Sequence, residues 1–331
     1  MSFRSSRVTA AAALTLGAAL LLSACSSGEP AAEQPEAPAA AQTITFTDNH
    51  GEVEMQSHPE RVVALDNHVF ETLSSWDVPL VAAPKGLMGT VWTDYIEDDS
   101  VADVGTHREP NLEAIVAAEP DLIIGGYRFS DAYDNLVAQN PDATVIDIAP
   151  REGEDLFEEL QRETTILGQI FGQEDEAEKL NTALEDAIDG AKAEYNGTDT
   201  VMGLITSGGK IEFAAAGTGR SVGPVFPALG LKPAIYRAAE DTSHGDDISV
   251  EAIAESNPEW MIVLDRDASF SEPEPGSVPA DELIAGSEAL ANVPAVQKNQ
   301  IIYLDPNFYL TEDIQAYTAL IEQIKAAFAA A

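Results

Sequence analysis

Arginine is scarce in this chain, ten of 331 residues, and three of the ten sit in loops bracketed by glycine or aspartate. They are Arg128 in Gly125-Gly126-Tyr127-Arg128, Arg220 in Gly217-Thr218-Gly219-Arg220, and Arg266 in Asp265-Arg266-Asp267. A guanidinium is always charged and presents a rigid fork of N–H donors, so a converging set would hold an oxygen-rich anion. Taken singly, each arginine suits a surface ion pair, Arg266 most of all because aspartate flanks it on both sides. Their placement argues for a shared role: Arg128 follows the apolar run Leu122–Ile124, Arg266 follows Trp260–Leu264, and the two stand 138 residues apart, as the runs do. Catalytic constellations do not emerge. Ser207-Gly208-Gly209 lacks the Gly-x-Ser-x-Gly of a nucleophile elbow, Gly217-Thr218-Gly219 lacks the continuation of a dinucleotide fingerprint, and His50, His58 and His107 have no regular metal-ligand spacing.

The elements that must position the arginines alternate between strand and helix. Arg61–Leu65 is a short apolar run suited to a buried parallel strand, and Val69–Trp76 follows with helical apolar spacing. Leu112–Ala118 reads as a helix broken at Glu119-Pro120-Asp121, Leu122–Ile124 as a strand ending at Gly125, and Thr144–Ile148 as a further strand. Glu113-Ala114-Ile115, Pro120-Asp121 and the strand after them recur as Glu251-Ala252-Ile253, Pro258-Glu259 and Trp260–Leu264 at the same offset. Helix, breaker, strand and arginine repeating together predict two similar α/β lobes with mainly parallel sheets. Each lobe then offers an arginine at the carboxyl end of a strand, where open α/β sheets bind ligands. Between them Glu174–Tyr195 carries Leu180, Leu184, Ala187, Ile188 and Ala191 on one stripe, which predicts one long rigid helix joining the lobes.

Acidic residues outnumber basic ones 57 to 17, a net charge of −40. Such a surface repels nucleic acid and anionic membranes, and is adequately explained by solubility or by salty surroundings. The amino-terminal 24 residues carry Arg4 and Arg7, an apolar run from Val8 to Leu22, and small residues up to Ala24, the parts of a secretory signal. Leu22-Ser23-Ala24-Cys25 resembles the bacterial lipobox, whose cysteine receives diacylglycerol, and Cys25 is the single cysteine of the chain. Two acyl chains make a stable anchor. Residues 25–42, rich in Ala, Pro, Glu and Gln, cannot bury a core and read as a flexible tether. The remainder divides into an amino-terminal lobe 43–173, an interlobe helix 174–196 and a carboxy-terminal lobe 197–331.

With that order established, the chain resembles the importer-linked solute-binding proteins for iron-siderophore complexes and cobalamin. Val104-Gly105-Thr106, Glu109–Ile115 and Pro120–Ile124 carry the resemblance, which extends over Thr43 to Ala331. It implies a class III periplasmic binding protein: two Rossmann-like lobes joined by one long rigid helix. Within that group the chain is most similar to binders of ferric catecholate siderophores. Ferric iron held by two or three catecholates carries a charge of about −1 or −3, which Arg128, Arg220 and Arg266 would offset. The resemblance further implies that His244 and Tyr309 coordinate siderophore-bound ferric iron where a four-coordinate siderophore leaves positions open; phenolate suits that hard ion and imidazole is compatible with it. The loops Asp66–His68, Pro84–Gly89 with Trp92, and His107-Arg108 are expected to face the cleft, with Lys85 and Trp92 among the ligand-binding residues. Thr311-Glu312-Asp313 departs from the small, glycine-rich stretch of relatives, and its acids would narrow the rim or repel the ligand there.

The same resemblance implies no enzyme and no intrinsic cofactor, ferric iron arriving as the siderophore complex. Expected partners are the ferric siderophore and an ABC permease with its ATPase, Glu113 and Glu251 docking on the permease. The chain is expected as a monomer on the extracytoplasmic face of the cell membrane, held by its lipid anchor alone. The alternatives are a binder of haem, cobalamin or a hydroxamate siderophore on the same fold, or, from a different class, an extracytoplasmic metal-dependent hydrolase.

Overall fold

The structure, a computed structural model, describes residues 41–331 apart from Ser243, Pro273 and Glu274. The leader and Cys25 lie outside the described residues. A hairpin of β1 (Thr43–Asp48) and β2 (Gly51–Gln56) comes first. Five parallel strands follow: β3 (Val62–Ala64), β4 (Leu80–Ala83), β5 (Ala102–Asp103), β6 (Leu122–Gly125) and β7 (Thr144–Asp147), in the order β5-β4-β3-β6-β7. A second sheet contains β8 (Thr200–Ser207), β9 (Lys210–Phe213), β10 (Lys232–Pro233), β11 (Asp246–Asp247), β12 (Trp260–Asp265) and β13 (Ile301–Tyr303). Its order is β11-β9-β8-β12-β13 with β10 beside β8. Here β8, β12 and β13 run parallel, while β9 runs antiparallel to both its neighbours, β8 and β11.

Side chains alternate across each strand, so a strand that is apolar at every position must be covered on both faces. Val62, Ala64, Leu122 and Ile124 enter one core, with Phe70, Leu73 and Ile166. Val63, Leu65, Ile123 and Ile115 enter another. The second sheet does the same: Val201, Ile205, Ile262 and Leu264 face one cluster, and Met202, Leu204, Met261 and Val263 the other.

Of the helices, α1 (Asn67–Ser75) is capped by Asp66. The repeat gives α2 (Leu112–Ala117) and α5 (Val250–Ser256), whose caps Asn111 and Ser249 obey the same 138-residue offset. Between them lie α3 (Leu156–Phe171) and α4 (Glu174–Glu194). The helix expected over 174–196 is α4, and at 21 residues it is about 31 Å long. Its Leu184, Ala187 and Ala191 lie in the second-lobe core. The helix whose side chains enter both cores is α3: Phe157 and Leu160 join the second-lobe cluster, Ile166, Leu167 and Ile170 the first. Gly168 of α3 lets the two helices close up, since a Cβ there would come 2.7 Å from the Cβ of Ala177. The chain ends with the short α6 (Phe308–Thr311) and with α7 (Ile314–Ala329), whose Leu320, Ile321, Ile324 and Phe328 pack into the second-lobe core. Among the described residues no helix is long and apolar enough to cross a membrane.

Hydrogen bonds from α1 tie the lobes together. Asn67 Nδ2 donates to the Leu310 carbonyl at 3.0 Å, and Gln315 Nε2 donates to Thr72 Oγ1 at 3.0 Å. Both first-lobe partners are on α1, which therefore packs directly against the α6–α7 corner.

Candidate functional site

At the end of β6 the chain turns through Gly126 at φ 97°, where a Cβ would lie 2.3 Å from Asp147 Oδ1, so no larger residue fits. Tyr127, also at positive φ, and Arg128 follow on a short 3₁₀ turn. At the end of β12 the corresponding turn is Asp265–Asp267. There Asp267 accepts hydrogen bonds from Gly208 N at 2.6 Å and Ser277 Oγ at 2.6 Å, fixing the loop while Arg266 projects from it. The aspartate beside Arg266 is therefore anchored in the loop, although Arg266 Nη1 still lies 3.7 Å from its Oδ1. Arg220 leaves a loop so tight that a Cβ on Gly219 would meet Ala215 N at 2.3 Å.

These three turns open on one cavity of about 390 Å³, lined by Arg128, Arg220, Arg266, His244 and Tyr309 together with His107 and Arg108. The Tyr309 ring stands among the three arginines. Guanidinium carbons of Arg220, Arg266 and Arg128 lie 4.1, 5.1 and 5.7 Å from the ring centroid, each within cation–π range. Burial pushes the Tyr309 phenol up, but Arg220, with Arg266 and Arg128, outweighs it and holds the phenol below the usual tyrosine range. Arg128 Nε is buried with no hydrogen-bond partner among the described residues. His107 is lowered by partial burial and by Arg128 and Arg108, which favours its neutral form. His244 lies at the exposed mouth with Nδ1 3.6 Å from Asp241.

Glu312 does not stand at the rim. It is buried, with backbone φ of 46°, and its carboxylate takes Arg220 in a two-pronged pair: Arg220 Nε donates to Oε1 at 3.2 Å and Nη2 donates to Oε2. Ser221 Oγ donates to Oε1 at 2.5 Å. Tyr127 completes the network, its hydroxyl accepting from Arg220 Nη2 at 2.8 Å and donating to Glu312 Oε2 at 3.3 Å. Burial raises the Glu312 carboxyl, but Arg220 and the Ser221 hydrogen bond prevail and keep it below the usual range. The acid feared as a repulsive rim is thus the clamp that orients Arg220. Its neighbour Asp313 is buried as well, capping α7 through Ala316 N at 2.7 Å.

Two expected ligand residues lie elsewhere. Trp92 is buried in the first-lobe core, edge-on to Phe70 and donating from Nε1 to Glu71 at 3.0 Å, so its ring has no face toward the cavity. Lys85 donates to the carbonyls of Ile96 at 3.1 Å and Asp98 at 2.8 Å, which ties its ammonium to its own loop. Gly86, Leu87 and Gly89 from that loop do line the cavity. Asp66 and Asn67 are buried at the lobe junction, and His68 opens on a neighbouring cavity. Glu113 and Glu251 are exposed in the first turns of α2 and α5. Tyr127 and Phe270 also line the cavity and were not among the expected ligand residues. Tyr127 was signalled by its place between Gly126 and Arg128; Phe270, 5.8 Å from Tyr309 ring to ring, carries no such mark.

Two α/β sheets bridged by packed helices, with a cationic cavity fed by strand ends of both, define a bilobal solute-binding fold. The chain belongs to the periplasmic binding protein family, matching it over residues 62–308. The petrobactin-binding protein YclQ of Bacillus subtilis is 25% identical over 319 residues, covering 94% of this chain and 96% of that protein. The ferric-anguibactin-binding protein FatB of Vibrio anguillarum is 26% identical over 309 residues, 92% and 93% of the two chains. Among solved structures, the catecholate-siderophore binding protein VctP of Vibrio cholerae superposes with a TM-score of 0.72 at 23% identity, over 88% of this chain and all of that one.

Proposed function

We propose that this protein is the extracytoplasmic binding component of an ABC importer, capturing a ferric catecholate-type siderophore in the arginine cavity and delivering it to the permease. The observation that carries this reading is the clustering of Arg128, Arg220 and Arg266 around Tyr309 in one cavity. A ferric catecholate is anionic, aromatic and rich in oxygen acceptors, and it answers all three properties of the lining. Cobalamin and neutral hydroxamate complexes have no need of so much positive charge. The relatives named for petrobactin and ferric anguibactin support the same class of ligand.

In this reading Tyr309 and His244 complete the coordination of a four-coordinate complex. Cys25 carries the lipid that keeps a monomeric protein at the membrane, while Glu113 and Glu251 meet the permease. The protein binds and does not turn over its ligand. Calorimetric titration with ferric tris-catecholate, bis-catecholate, hydroxamate and citrate complexes tests it. Submicromolar binding confined to the catecholates is expected, and equal or tighter binding of the hydroxamate complex overturns it.

A further inference from the structure

Behind the arginine cavity lies a group of side chains that the binding of an anion does not use. Asp66 caps α1, His68 is two residues on, and Glu163 projects from the middle of α3. One donor atom from each lies within 4.8 Å of the others, and all three residues are buried. Glu163 is 2% exposed, and its Oε1 has no hydrogen-bond partner among the described residues. Asp66 Oδ1 accepts from His68 N at 2.9 Å and stands 3.1 Å from His68 Nδ1, while its Oδ2 is buried without a partner among the described residues. The cation nearest in sequence to Glu163 is already engaged: Arg162 binds Glu159 at 2.9 Å and the carbonyls of Ile148 and Ala149 at 2.9 and 3.0 Å.

Burying two carboxylates and leaving their oxygens unpaired is costly unless a counter-charge satisfies them. One doubly charged ion would neutralise both carboxylates and take up the unpaired lone pairs. Donors bound tetrahedrally at about 2.1 Å to one ion are about 3.4 Å apart, so side-chain rotation of about 1 Å would close the set on an ion. Two carboxylate oxygens with one imidazole nitrogen suit zinc, manganese or iron(II), with water in the remaining positions. On one side His68 lines a cavity of about 300 Å³ with Tyr127, Arg220 and Glu312.

We propose that Asp66, His68 and Glu163 form a binding site for one divalent transition-metal ion, distinct from the cavity that takes the siderophore. Because Asp66 and His68 enter α1 and Glu163 belongs to the helix shared by both cores, the ion would lock α1 to α3 at the lobe junction.

Equilibrium dialysis of the mature protein, purified from chelator, against zinc and manganese at physiological salt tests the site, with cobalt(II) absorption as the spectroscopic probe. Weak binding to the many surface carboxylates is separated by stoichiometry. One equivalent should bind tightly, and cobalt should give ligand-field bands that report nitrogen and oxygen donors. Glu163→Gln keeps shape and removes a ligand, and Asp66→Asn keeps a good helix cap. Each should weaken the tight equivalent by more than about a hundredfold, the upper end of what loss of even an outer-shell partner costs, with unchanged circular dichroism. Arg128→Ala should leave it intact, which separates this site from the siderophore reading. Absence of a tight equivalent in the wild-type protein, or its persistence in folded Glu163→Gln, overturns the proposal.

Discussion

The Arg220 guanidinium lies 4.1 Å from the centre of the Tyr309 ring, and its Nη1 donates to the phenol oxygen at 3.4 Å. One residue thus supports the ring through its face and through its hydroxyl, while Glu312 fixes that residue from behind. The two contacts separate under mutation. Tyr309→Phe keeps the ring for the arginines and removes the oxygen. Loss of a hydrogen bond to a charged group costs about 1.5–3 kcal/mol, so ferric catecholate affinity should fall roughly ten- to a hundredfold. If Tyr309 ligates iron, the visible charge-transfer band of a bis-catecholate complex shifts as well. An unchanged band with Tyr309→Phe excludes direct coordination.

Glu312→Gln probes the clamp. Removing one partner of a buried ion pair leaves the other charged and unsatisfied, and costs about 3–5 kcal/mol. The unliganded protein should therefore melt earlier. An anionic ligand would in turn supply the lost counter-charge, so ligand-induced stabilisation should be larger in the variant than in the wild type. Paired thermal melts with and without ferric catecholate measure both effects, and a smaller ligand-induced shift in the variant contradicts the role given to Glu312.

Burial pushes the Asp313 carboxyl up to about 7, with Glu71 adding to the rise and His68 opposing it. Between about pH 4 and pH 7 the native protein then holds a proton that the unfolded chain has released. Stability falls as pH rises through that window and levels off above it, by an amount on the order of a few kcal/mol. Asp147 is raised by burial too and acts in the same direction. Asp313→Asn keeps the cap of α7 and removes one titrating group. Denaturant midpoints at pH 5 and pH 8 should differ less in the variant than in the wild type; identical differences would show that Asp313 does not carry the dependence.

Much of this architecture was legible in the sequence because its signals are local or repeated. Val62–Ala64 and Leu122–Gly125 are apolar at nearly every position, and buried parallel strands require that. The offset of 138 residues located α2, α5 and both strand-end arginines together. What was not legible depends on which way a side chain turns. Lys85 and Trp92 lie in or near a loop that does reach the cavity, yet one bends back to two carbonyls and the other packs into the core. Glu312 looked like a rim acid because the sequence does not reveal that Arg220, 92 residues earlier, would meet it. The same holds for Glu163, whose neighbours Asp66 and His68 are almost a hundred residues away. Helix α3 escaped notice as the element shared by both cores because its apolar positions serve two cores in succession.

The correction at Lys85 and Trp92 yields a contrast that ligand binding alone can read. Lys85→Ala removes two hydrogen bonds that close the segment from Lys85 to Asp98, and Trp92→Phe removes the donor to Glu71 while keeping an aromatic in the core. Both changes act on the first lobe, each costing about 1–2 kcal/mol of stability. Neither side chain reaches the cavity, so ferric catecholate affinity should stay within about threefold of wild type, under 1 kcal/mol. Arg128→Ala should show the reverse: affinity lowered by tenfold or more, about 1.4 kcal/mol or above, and stability unchanged or raised, because it removes one of the like charges crowded around Tyr309. Arg266→Ala should lower affinity as much, with some loss of stability because Arg266 Nη1 also donates to Ser207 Oγ at 3.1 Å. Measuring melting temperature and affinity for all four variants side by side decides the matter. A Lys85→Ala protein that binds as weakly as Arg128→Ala would return Lys85 to the site.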